Sequence, residues 1–139
     1  MNVRDAMAKT ISTASRQDTV GRVAQLMKQE DTGFIPVVEG DRLVGVVTDR
    51  DIVIRCLAEG HSNCLEEKVD HVMSTNVQTV SPDDDLDAAA STMANQEIRR
   101  LAVVENGRLV GVLSHGNVVQ ATGGSGAAQK VTTGVTQGA

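Results

Sequence analysis

The sequence predicts an α/β (α+β) chain made of two β-α-β-β-α repeats. Three observations carry that reading. The stretch IPVVEGDRLVGVVT at 35–48 returns as LAVVENGRLVGVLS at 101–114, 66 residues on. The offset holds without a gap from Val3/Val69 to Ile52/Val118, and 15 of the 50 aligned pairs are identical. A fixed internal period of this kind marks a duplicated structural unit. In both copies an apolar i, i+3, i+4, i+7 pattern precedes two β-branched runs, which are the periods of a helix and of strands.

The elements follow in order, twice. A short turn leads each copy, from Val3 to Met7 and from Val69 to Met73. A brief strand follows, near residues 10–13 and 76–80. In the first copy Asp18 or Thr19 can cap a helix whose Val20, Val23, Ala24 and Met27 share one face. In the second, Asp84 or Asp85 caps it after Ser81-Pro82, and Leu86, Ala89, Ala90 and Met93 repeat the face. Acids in that first turn suit the helix dipole. Strands are expected at 35–39 and 43–48, then at 101–105 and 109–114. Asn106-Gly107 is a strong hairpin signal. A second helix is expected at 50–58 and 117–121. The organisation is therefore a first repeat over 1–60, a linker over 61–66 and a second repeat over 67–122. A Gly/Ser/Thr-rich tail, expected to be flexible, fills 123–139.

A net charge of −5 and a pI near 5.1 argue against nucleic acid as a partner. Phe34 is the sole aromatic residue, so bases cannot be stacked on aromatic platforms. No apolar run reaches the roughly 20 residues of a membrane span. The N-terminus lacks a signal-peptide pattern, so a cytoplasmic protein with no membrane partner is expected. Cys56 and Cys64 are too few for a disulfide framework. With His61 they form a candidate metal or redox set, although without the usual paired spacing. The histidines, His61, His71 and His115, lie in different elements, and none has a nucleophile at a motif spacing. No catalysis is expected.

The most informative local pattern is Thr48-Asp49-Arg50-Asp51. A hydroxyl ends a strand, and a carboxylate follows three residues later on the same helix face. Strand-to-helix junctions are where α/β ligands sit. Asp51 can accept hydrogen bonds from both hydroxyls of a ribose. The same spacing is also a capping box in all but the length of its acid.

Taken together, the paired repeats, the lead-in turns ending at Met7 and Met73, Ile35-Pro36-Val37-Val38 and the Thr48–Asp51 pattern resemble a tandem CBS-domain pair, a Bateman module, of the stand-alone bacterial and archaeal type. The resemblance covers about residues 3–121. It implies two units packed with pseudo-twofold symmetry, and clefts that bind AMP, ADP, ATP or S-adenosylmethionine. The adenine nucleotide would be a regulatory ligand, with no obligatory cofactor. A homodimer and an unknown effector protein in trans are implied as partners.

Carried over residue by residue, Thr48 and Asp51 match the ribose motif of the first repeat, while Gly33 and Phe34 stand where phosphate-binding cations would precede the strand. Ser114 and Asn117 occupy the motif in the second repeat, and Asn117 has lost the charge and one acceptor oxygen. There Arg99 and Arg100 precede Leu101, and arginine suits phosphate through its rigid fork. Backbone near Ile11 and Val77 would meet adenine, with Ile35, Pro36 and Leu101 as aliphatic surface for the base. The resulting expectation is a regulatory sensor that binds an adenosine-containing nucleotide in the cleft between repeats. The alternatives are a ligand-free dimerisation module and a metal or redox sensor built on Cys56, His61 and Cys64.

Overall fold

The computed structural model describes residues 1–123; the tail expected over 123–139 lies outside them except for Gly123. Five helices and five strands are used below. They are α1 (Val3–Ala6), α2 (Val20–Glu30), β1 (Phe34–Glu39), β2 (Arg42–Thr48), α3 (Asp49–Asp51), β3 (Thr79–Val80), α4 (Leu86–Gln96), β4 (Arg100–Glu105), β5 (Arg108–Ser114) and α5 (His115–Thr122). Helix α3 runs directly into a π-helical stretch, Ile52–Leu57. Short 3₁₀ turns occupy Cys64–Glu66 and Val69–His71.

The chain divides into two compact units, and they are not the sequence repeats. One unit is Ser12–Val77; the other joins Met1–Ile11 to the chain from Gln78 onward. Each repeat has exchanged its lead-in. The first repeat's Ala8 lies antiparallel to Val112, exchanging backbone bonds of 2.9 and 3.0 Å. The second repeat's Ser74 does the same with Val46, at 2.9 and 2.8 Å. Two glycines make this approach possible. A Cβ on Gly45 would lie 2.7 Å from the Ser74 carbonyl oxygen, and one on Gly111 would lie 2.8 Å from that of Ala8. This is a physical reason for glycine at the centre of both copies of the Val-Gly-Val sequence.

In the Ser12–Val77 unit, β1 and β2 form an antiparallel hairpin, with Ala14 bridging to Val37 in parallel. In the other unit, β4 and β5 form the equivalent hairpin, and β3 pairs in parallel with β4. Each hairpin carries one bulge, at Val37/Val38 and at Val103/Val104. Asn106 and Gly107 both adopt positive φ, as the Asn-Gly turn signal required.

Helix α2 starts at Thr19, whose side chain accepts the Arg22 N–H, and α4 starts at Asp85, which accepts that of Ala88. Both end on left-handed residues 66 positions apart, Asp31 and Glu97. The expected α4 face, Leu86, Ala89, Ala90 and Met93, is buried; of the expected α2 face Val20 and Val23 are buried and Met27 half-buried, but Ala24 is exposed and Leu26 packs on the core instead. Val23, Ile35, Val37, Val47, Val69 and Met73 form one core cluster. Val3, Leu86, Ala90, Met93, Leu101 and Leu113 lie in the other. At roughly 1.5–3 kcal/mol per fully buried large aliphatic side chain, these clusters supply the main driving force of each unit.

Candidate functional site

The junction of β2 with α3 and that of β5 with α5 are built alike. The Thr48 hydroxyl accepts the Asp51 N–H at 3.1 Å, while Asp51 Oδ2 accepts the Thr48 N–H at 2.9 Å. Ser114 Oγ accepts the Asn117 N–H at 3.0 Å, and Asn117 Oδ1 accepts the Ser114 N–H at 3.0 Å. Both pairs are reciprocal capping boxes. The Thr48 hydroxyl still has its own proton to donate, because capping uses it as an acceptor.

The two junctions differ in what surrounds the cap. Asp51 is 8% exposed, and it is the buried charged residue among those described. Ser74 Oγ donates to Asp51 Oδ1 at 3.1 Å. Arg55 Nε stands 3.7 Å from the same oxygen, and Arg55 Nη1 donates to the Met73 carbonyl at 3.0 Å. A buried carboxylate needs such partners, because an unpaired one is strongly destabilising. In the other unit the positions equivalent to Asp51, Ser74 and Arg55 are Asn117, Ala8 and Ala121. Carboxylate, hydroxyl and guanidinium are lost together. Ser74 and Arg55 were missed by sequence reasoning; their joint replacement between the copies was the available signal.

The other expected positions divide by environment. Arg99 is exposed and Arg100 half-buried at the start of β4. Ile11 and Val77 are half-buried. Pro36 is buried, and its carbonyl accepts the Ala14 N–H at 2.9 Å. Ile35 and Leu101 are 1% and 0% exposed within the two core clusters, so packing already occupies the surface proposed for a base. Just before Phe34, Gly33 lies beneath the Asp49 carboxylate: a Cβ on Gly33 would sit 2.5 Å from Asp49 Oδ2.

The structure does not assemble Cys56, His61 and Cys64 as a metal set. Among the described residues no three His, Cys, Asp or Glu side chains are arranged to hold an ion. Cys56 is fully buried beside Val20 and Val72, with Cys64 packed on the same cluster. Burial first, and the Cys64 thiol second, push the Cys56 thiol up to about 12. The His61 ring instead meets Glu67, Nδ1 to Oε2 at 3.0 Å, and His71 Nδ1 meets Oε1 of the same carboxylate. Hydrogen bonds from His71 and then His61 hold Glu67 below its ordinary carboxylate value. No described helix is long and apolar enough to cross a membrane.

Two exchanged α/β units, each with a reciprocally capped strand-to-helix junction, make a tandem two-unit module. Residues 3–57 and 69–124 each match the CBS domain, and the chain belongs to that family. It is 39% identical over 117 residues to the CBS domain-containing protein YhcV of Bacillus subtilis, covering 84% of this chain and 82% of that one. The crystal structure of CBSX2 in complex with AMP superposes with a TM-score of 0.77 at 28% identity, covering 87% of this chain and 95% of that chain. The CBS domain pair of MJ0100, in complex with 5′-methylthioadenosine and S-adenosyl-L-methionine, gives 0.76 at 25% identity, covering 89% and 97%.

Proposed function

We propose that this chain is a non-enzymatic regulatory module of the cytoplasm that binds an adenosine-type ligand and signals to a protein partner in trans. The observation that carries the reading is Asp51. It is a buried carboxylate held at a strand-to-helix junction with a hydroxyl donor, Thr48, beside it. Ribose hydroxyls are donors that suit such an acceptor. Ligand-bound CBS neighbours support the chemical class, AMP in one and sulfur-containing adenosine compounds in the other. The ligand regulates only if it binds one arrangement of the protein more tightly than another.

Isothermal calorimetry with AMP, adenosine and S-adenosylmethionine tests the reading. Binding that weakens by about 1.5–3 kcal/mol in Asp51→Ala is expected, the scale of a hydrogen bond to a charged group. Absence of heat and of any thermal shift at millimolar ligand would sink it.

A second reading, self-association without a ligand, has its own observation. Val53, Ile54 and Leu57 are 51%, 45% and 61% exposed on the π-helical stretch, and Val119, the counterpart of Val53, is 38% exposed on α5. Exposed apolar side chains recurring on equivalent helices favour a protein contact there. Sedimentation of Val53→Lys against wild type tests it: an unchanged mass would refute it.

A further inference from the structure

Positions 33 and 49 are tied together in the same way as 99 and 115. The Asp49 N–H donates to the Gly33 carbonyl at 3.0 Å, and the His115 N–H donates to that of Arg99 at 2.9 Å. Asp49 and His115 stand two positions before Asp51 and Asn117, inside the two capping boxes, and Gly33 and Arg99 are brought beside them by these bonds. The side chains at these paired positions differ in charge. At one junction the Asp49 carboxylate covers Gly33, its Oδ2 2.5 Å and its Cγ 2.7 Å from where a Cβ would stand. Its Oδ1 accepts the Arg50 N–H at 2.9 Å, which fixes the group there. No side chain at position 33 fits while Asp49 holds this pose. At the other junction position 99 carries a guanidinium instead.

The imbalance extends over the neighbouring positions. Gly33, Phe34, Asp49, Arg50, Asp51, Arg55 and Ser74 carry two positive and two negative charges, net zero. Their equivalents, Arg99, Arg100, His115, Gly116, Asn117, Ala121 and Ala8, carry two positive charges and no negative one, net +2 with His115 neutral. Of the first junction's cations, Arg55 is already engaged by Asp51 and Met73.

We propose that Asp49 is a specificity-determining residue: it makes the Thr48–Asp51 junction select nucleosides whose 5′ substituent is neutral or cationic and reject those bearing a 5′-phosphate. The inference rests on the adenosine reading above and names the ligand class of that junction. A phosphate anchored through its ribose at Asp51 lies near two carboxylates, and like charges that close repel. Phosphate-bearing ligands are thereby left to the junction beside Arg99 and Arg100, whose planar forks suit them.

The test uses the full chain and two probes, adenosine and AMP, titrated by calorimetry at low salt. The Arg99→Ala/Arg100→Ala double variant removes the rival junction's cations and is the reference background. There, adenosine is expected to bind at least about tenfold more tightly than AMP. Adding Asp49→Asn, or Asp49→Ala as a second variant, should bring AMP to within about threefold of adenosine while adenosine is unchanged. Raising the salt should narrow the gap in the reference background, because exposed charges are screened. Equal affinities in that background, or a ratio that Asp49→Asn leaves alone, would overturn the role of Asp49 and leave the adenosine reading standing. If neither probe binds any variant, the adenosine reading falls and the inference falls with it.

Discussion

Replacing Asp51 by alanine should destabilise the ligand-free protein far more than the equivalent change at Asn117, and the two junctions supply the numbers. The Asp51 carboxylate accepts the Thr48 N–H at 2.9 Å and the Ser74 hydroxyl at 3.1 Å from an 8% exposed position. Hydrogen bonds to charged groups contribute about 1.5–3 kcal/mol each, and a donor left unsatisfied adds to the loss. Arg55 adds less than about 0.5 kcal/mol, because its 3.7 Å contact comes from a side chain 47% exposed and therefore well screened. Asn117 accepts one neutral bond, from Ser114 at 3.0 Å, which is about 1 kcal/mol. Asp51→Ala should therefore cost about 3 kcal/mol and Asn117→Ala about 1 kcal/mol. Asp51→Asn keeps an acceptor for Thr48, as Asn117 does for Ser114, and should fall between them. Urea unfolding followed by circular dichroism measures all three, with the slope checked for constancy so that midpoints report stability. If Asp51→Ala costs no more than Asn117→Ala, the Ser74 and Arg55 contacts contribute nothing. The argument that the first junction is a charged, specially held site then fails.

Two further outcomes follow from the geometry. Gly45→Ala and Gly111→Ala should each cost about 1–3 kcal/mol, the scale of overpacking, since the new Cβ would meet main-chain oxygen at 2.7 and 2.8 Å. Gly116→Ala in helix α5, whose Cβ would lie 3.7 Å from Ser114 Oγ, should be neutral or stabilising; thermal melts of the three variants check both statements. Glu67 is held below its ordinary value of 4.5 by His71 and His61. A depressed carboxylate stabilises the folded state above its unfolded value and loses that contribution as pH falls through the folded one. Acid titration of the urea midpoint should decline below pH 4.5, and Glu67→Gln should flatten that limb; identical acid limbs would show that the two imidazoles do not hold the carboxylate.

Much of this architecture was legible in the sequence because it is local. Helix faces at 20–27 and 86–93, the Asn106-Gly107 turn and the Thr48–Asp51 spacing depend on neighbours within one or two turns. The exchange of lead-ins does not. Nothing in the periodicity of residues 3–8 says that they pair with Val112, Asp84 and Pro82 rather than with their own repeat. Ser74 escaped a local reading for the same reason, since its bond to Asp51 spans 23 residues; only comparison of the two copies signals it. The Cys56, His61 and Cys64 grouping failed in the opposite direction. Closeness along the chain suggested a shared site, but the π-helical stretch buries Cys56 while the following loop turns His61 to Glu67. Ile35 and Leu101 came as aliphatic surface for a base through the family resemblance; in the structure both are buried in the core clusters.

The exchanged lead-ins also explain why the two copies were free to diverge where they did. Gly45 and Gly111 receive a partner's main chain at under 3 Å, a steric demand identical in both units, and both copies keep the same Arg-Leu-Val-Gly-Val sequence there. A main-chain contact constrains the glycine but not the incoming side chain. Ser74 can therefore become Ala8 without disturbing the strand bridge. Once that hydroxyl is absent, a buried carboxylate at the next junction loses a donor, which penalises the charge. Asparagine keeps the cap while carrying no charge, and an arginine at position 121 would then have no carboxylate to neutralise, consistent with the alanine there. On this argument Ser74, Asp51 and Arg55 form one unit of change: restoring Asn117→Asp alone should destabilise the protein, whereas Asn117→Asp combined with Ala8→Ser and Ala121→Arg should recover most of the loss. Additive effects in that triple variant would show that the three positions are independent.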